Sequence, residues 1–363
     1  MDKRFVPLDL SDLPKIDKVA NKDDIINGRK VIGSIIRDSR TQAKLAECYY
    51  CGKPCTSFCN SHSIPMFCLK RITINGKVCY FNTILDFPVL NDDKGLIEAG
   101  TFHLICQDCD GKVFRDYESP DNYSDMPTTR MLAQIDMKNC LKNISKRLIE
   151  IEMYDLMKKR TPVTANWTDS KKSVSEFDLK EFMDSYTRAK KRSLKPHEGD
   201  YYVGFYEKLP YVVPVAFQGT IALISDLDGN IINNIYSDDP KYVIRSMALC
   251  IFPIENSSVV MIFVDNDNRR YARFFKQLKK MSHNERLSII NYILFSYCED
   301  YFLSPKLTDA TLSKLKRMSG KTPDMIAVGR TTNFQQLEKA KEIFNYNERF
   351  SIPNVLDENY KVY

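Results

Sequence analysis

A chain of 363 residues, 43% hydrophobic and 28% charged, is long enough for about two or three domains and has none of the composition of a disordered, collagen-like or repeat protein. Its formal net charge of +6 suits a polyanionic partner without demanding one. The most apolar stretch, Ser246 to Val264, is broken by Pro253, Glu255 and Asn256 and cannot span a bilayer. The start of the chain lacks the apolar run of a signal peptide, so a cytoplasmic protein without a membrane is expected.

In chain order, residues 1–24 are polar and proline-punctuated and read as an extended arm. Asp24 to Glu47 carries apolar residues (Ile25, Ile32, Ile35, Ile36, Ala43) near helical spacing. Cys48 opens a cysteine-rich segment that ends at the turn Glu118–Asn122, and Arg71–Val78 inside it reads as hairpin-like. A long amphipathic helix or helix pair is predicted over Thr129–Lys159, and a more polar helix over Ser175–Arg192. After a linker at Lys195–Asp200 the texture turns to β: Tyr201–Phe205, Val212–Phe217, Ile221–Ser225, Ile231–Ile235 and the pair Met247–Phe252 with Val259–Val264. Two helices follow, the second with a capping box, Ser282 and Glu285, and a last one lies near Thr308–Met318. The expected organisation is α+β: an arm and helix (1–47), a cysteine module (48–123), a helical extension (124–198) and a C-terminal α+β domain (199–363).

Eight of the eleven cysteines fall between Cys48 and Cys109, which in a reducing compartment reads as metal binding rather than disulfides. Cys48-Tyr-Tyr-Cys51-Gly52 has the form of a zinc knuckle, and Cys106-Gln-Asp-Cys109 supplies a second pair. Together they offer the four thiolates of a structural Zn²⁺ site. Cys55, Cys59, Cys68 and Cys79 compete as ligands, and Cys59 with His62 is the main rival half-site. Arg37, Arg40 and Lys44 share a helix face leading into the module, where contacts to nucleic-acid phosphates would be useful; a solvated helix face is the plain alternative.

The order CxxCG, then His62-Ser-Ile-Pro65, then CxxC followed at once by Asp110 resembles the zinc-braced HNH endonuclease family, of treble-clef and ββα-metal type, over residues 48–118. The resemblance implies that His62 is the general base that activates water. It implies that Asp110 binds a catalytic Mg²⁺ or Mn²⁺ at the scissile phosphate, and that the substrate is nucleic acid, DNA before RNA. Chains of this kind often belong to defence or mobile-element systems. Three features depart from the pattern: Ser61 replaces an acidic cation ligand, Thr101 replaces an asparagine that orients the histidine, and the span from His62 to Cys106 is longer than usual. The alternative is a non-catalytic, zinc-stabilised module that binds nucleic acid or protein through a degenerate HNH site. Asp110 also suits a helix cap, His103 a packed strand residue, and Asp116 and Glu118 solvent. The C-terminal domain is expected to bind nucleic acid, recognise a trigger, or mediate homo-oligomer or partner assembly.

Overall fold

The computed structural model describes residues 22–84, 87–95, 99–163, 165–237, 239, 241–298, 300–319 and 332–363; the expected extended arm falls largely outside them. The described residues form a mixed α+β structure with a four-cysteine cluster near the N-terminus. Helix α1 (Lys22–Gln42) leads to a short antiparallel ribbon, β1 (Ser61–His62) with β4 (Thr101–Phe102). Helix α2 (Met66–Ile72), strands β2 (Lys77–Ile84) and β3 (Phe87–Gly95) lie between the two ribbon strands in sequence, and α3 (Gln107–Val113) follows them. Two long helices, α4 (Thr129–Arg160) and α5 (Ala165–Leu194), precede β5 (Tyr201–Leu209), β6 (Val215–Ile221), β7 (Met247–Pro253) and β8 (Ser258–Asp265). Then come α6 (Ala272–Lys280), α7 (His283–Tyr297), β9 (Tyr301–Leu303), α8 (Asp309–Met318) and α9 (Asn333–Ile343).

Seven strands make one antiparallel sheet in the order β3-β2-β9-β6-β7-β8-β5. Every residue of β7 and nearly all of β8 are buried, because both faces of the sheet are covered. Strand alternation divides their side chains between two cores. Leu249, Ile251, Val260 and Ile262 face a layer that includes Phe274 of α6 and Ile290, Ile293 and Leu294 of α7. Cys250, Phe252, Met261 and Phe263 face the cysteine module and α4. There Phe252 meets Phe67 and Tyr123 edge-on at 6.5 and 5.6 Å.

The hairpin-like segment at 71–78 begins as the end of α2 and then closes the expected tight turn at Asn75–Gly76 (φ 52° and 73°), where Ile74 and Lys77 exchange backbone hydrogen bonds of 3.1 and 3.0 Å on the way into β2. That strand pairs with β9, so the sheet crosses the expected boundary at residue 123. Ile231–Ile235 is no strand: only a bridge, Ser225 to Ile231, forms, because the Asp226 carboxylate accepts the backbone N–H groups of Asp228 and Asn230 at 2.9 Å each and closes a tight loop.

The first half of α4 lies across the sheet, where Gln218 Nε2 donates to Asn139 Oδ1 (3.0 Å). Its N-terminus is capped by Thr128, which accepts from the Met131 N–H. Helices α4 and α5 run antiparallel, tied by Lys172 to Asp155 (2.7 Å) and Arg147 to Asp178 (3.2 Å). At their sheet end Asp136 accepts from Tyr201 Oη (2.9 Å), while Arg192 pairs with Asp265.

Burial and then the charge of Asp265 push the Asp136 carboxyl up to about 7, against the Tyr201 hydrogen bond, Arg192 and Arg188. A carboxyl raised on folding is most stabilising below its unfolded value, and that contribution is lost as pH rises through the folded one. The wild type is therefore expected to lose on the order of 2–4 kcal/mol more stability than Asp136→Asn between pH 4.5 and pH 8, measured by urea denaturation.

Candidate metal centre and its ribbon

Two short segments build the cysteine cluster. Cys48 to Cys51 wraps a turn closed by the Gly52 N–H donating to Cys48 O (2.8 Å), and Gly52 sits at φ +69°, a conformation glycine adopts without strain. Lys190 of α5 pins this turn by donating to Tyr50 O (2.6 Å), with its ammonium 4.2 Å from the Tyr50 ring centre. Cys106 is the N-cap residue of α3 and Cys109 lies in its first turn. The four ligand atoms of Cys48, Cys51, Cys106 and Cys109 lie within 4.8 Å of one another, a set that could hold a metal ion such as zinc. Burial opposes ionisation of Cys48, but N–H groups of Cys51, Cys106 and Tyr50 outweigh it and bring the thiol down to about 7. Burial and then the neighbouring thiols push Cys109 upward. Four crowded sulfurs cannot all ionise alone; a divalent ion removes that conflict.

Beside the cluster, the two faces of the β1–β4 ribbon do different things. Ser61 pairs with Phe102, and both face inward. Ser61 Oγ donates to Asp110 Oδ1 at 2.8 Å. The same oxygen accepts from Lys138 Nζ at 2.8 Å, and Lys138 also reaches Glu118 Oε1 at 3.1 Å. Lys138, from α4, is fully buried, with its ammonium 4.1 Å from the Phe114 ring centre and 5.8 Å from that of Phe102. The second Asp110 oxygen accepts from the Cys59 thiol (3.4 Å), which burial and then Asp110 raise to about 11. Burial would raise the Asp110 carboxyl, but Lys138, Ser61 and Cys59 more than reverse it and hold it below its ordinary range.

Several expected roles shift accordingly. Asp110 is not the cap of α3, a place taken by Cys106. Glu118 is not solvated but ion-paired with Lys138, and Asp116 accepts from Gln134 Nε2 (3.1 Å). Cys59 turns to Asp110 rather than to a half-site with His62. Lys138 was not singled out from the sequence; its signal is a charge at i, i+4 from Gln134 on the buried stripe of α4.

The outer face of the ribbon carries His62, opposite Thr101. Continuing that register sets Asn60 opposite His103, and the side chains meet: the His103 Nε2–H donates to Asn60 Oδ1 at 2.6 Å. Partial desolvation by its neighbours, then the charges of Lys44 and Arg40, lower the pKa of the otherwise exposed His103. Arg40 and Thr101 also line a cleft of about 170 Å³ with Tyr80, Lys142, Lys146 and Asp300. Arg37, by contrast, is highly exposed and turns to Asp38 (3.6 Å). None of the described helices is long and apolar enough to cross a membrane.

Two outcomes test this arrangement. Purified chain is expected to carry about one metal ion bound to the four thiolates, and Cys106→Ser to lose it, as measured by elemental analysis. Lys138→Met leaves two carboxylates without their buried counter-ion and is expected to cost about 3–5 kcal/mol in chemical denaturation.

Comparison with protein-family models, with curated proteins and with solved structures finds no match for this chain.

Proposed function

We propose that this chain binds nucleic acid through the outer face of the ribbon, with a structural Zn²⁺ in the four-cysteine cluster holding that face in place. The observation that carries this is the basic flank of the ribbon next to the cluster: Arg40 lines a cleft with Thr101, and the charges of Lys44 and Arg40 lower the His103 pKa. Phosphate contacts of this kind supply sequence-independent affinity. The zinc assignment is supported by four soft ligands in two CxxC pairs, one on a knuckle and one at a helix start. Asp110 is a poor ligand for Mg²⁺ or Mn²⁺ in this setting. One oxygen already serves Ser61 and Lys138, and a second cation beside a buried ammonium would be repelled.

The second reading is the metal-dependent HNH-like endonuclease, with His62 as base and DNA as substrate. It is favoured by the contact between Ser61 and Asp110, the two positions that the resemblance gives to the catalytic cation. It requires that ion to displace Lys138.

Fluorescence anisotropy with labelled DNA and RNA tests the first reading. Arg40→Glu with Lys44→Glu is expected to weaken binding at least about tenfold and to flatten its salt dependence. Unchanged affinity would overturn the proposed face. Cleavage that needs Mg²⁺ or Mn²⁺ and disappears in both His62→Ala and Asp110→Asn would establish the endonuclease instead.

A further inference from the structure

The outer ribbon face holds half of the chain's four histidines. His62 and His103 occupy diagonal positions across the antiparallel pair, set by the His62–Thr101 register and the Asn60–His103 contact. Diagonal neighbours of this kind lie about 7–8 Å apart, so two imidazoles can reach opposite sides of one phosphate group. His62 is half-buried and His103 is exposed. An amide oxygen can only accept, so the bond to Asn60 keeps the proton on His103 Nε2 and leaves Nδ1 as the basic nitrogen of the neutral ring. Arg40 and Lys44 from the α1 end favour that neutral form and offer charge to a phosphate. The inner face, where a divalent ion would have to sit, is filled by Lys138.

We propose that the ribbon carries a metal-independent RNA-cleaving site in which His103 and His62 act as base and acid. The proposal rests on the nucleic-acid reading above and narrows it to RNA, because the nucleophile comes from the substrate. His103 Nδ1 takes the proton of a ribose 2′-hydroxyl. The 2′ oxygen bonds to phosphorus as the bond from phosphorus to the 5′ oxygen breaks, and protonated His62 gives its proton to that leaving oxygen. The products are a 2′,3′-cyclic phosphate and a free 5′-hydroxyl, with no water, metal or redox partner consumed. Arg40 and Lys44 stabilise charge on the phosphate oxygens in the transition state, and Asn60 is a positioning residue for His103.

The experiment incubates the full-length, zinc-loaded chain with an end-labelled RNA and its all-deoxy counterpart in buffer free of other divalent ions, from pH 5 to 9. Mass spectrometry identifies the ends. The expected result is a bell-shaped pH dependence, cyclic-phosphate ends, no cleavage of DNA, and a loss of at least about 100-fold in both His62→Gln and His103→Gln. Asn60→Ala is expected to move the acidic limb of the pH profile, which the base His103 sets, while cleavage persists. Zinc content and circular dichroism show that each variant is folded, and His→Asn variants replace any that is not. RNA bound but left intact, or DNA bound without RNA, overturns the cleavage proposal and spares the binding reading; binding of neither overturns both. Cleavage that proceeds equally on DNA, needs Mg²⁺, or survives loss of His103 also overturns the proposal.

Discussion

An ammonium group stripped of water persists only where anionic oxygens and ring faces replace its hydration. Lys138 meets that condition through Asp110, Glu118 and Phe114, and each comes from a different stretch of chain. Asp110 lies on α3, one residue after a thiolate of the cluster. Glu118 lies in the turn that follows α3. Lys138 itself sits on the half of α4 that crosses the sheet. One charge thus ties the cysteine cluster, the ribbon through Ser61, and the long helices into a single unit. Removing it would leave carboxylates facing each other in a medium with little screening.

The same tie sets the two ribbon faces in different surroundings. Inner residues Ser61 and Phe102 are committed to the ion network and its ring contacts. Outer residues Asn60, Thr101 and His103 face the end of α1 and a cleft edged with lysines. A polar network that is well satisfied inside holds its neighbours in one geometry. For the phosphate contact proposed at the outer face, that stiffness is useful.

Much of the fold was legible in the sequence where a local pattern carries the information. The apolar spacing of α1 and α4, the capping box at Ser282 and Glu285, and the buried runs of β7 and β8 all reappear as read. The four cysteines converge because paired CxxC spacing already encodes two half-sites. What was missed depends on distant partners. Helix α5 begins at Ala165, earlier than its polar sequence suggests, because ion pairs with α4 support it. Lys138 looks like any lysine until Asp110 and Glu118 are brought to it. The expected strand at 231–235 gave way to the Asp226 loop, whose hydrogen bonds outcompete its β propensity.

The pairing of β2 with β9 has a consequence for how the chain is made. Tyr80 hydrogen-bonds Asp300, 220 residues later in sequence. Strand β2, which pairs locally with β3, therefore gains its second neighbour, β9, only after most of the chain has left the ribosome. The thiolates can gather early, since Cys48 and Cys109 are close in sequence, while β2 waits with one edge open. Vectorial synthesis thus separates the gathering of the four cysteines from closure of the sheet, and until β9 arrives the second edge of β2 is open to pairing with another chain.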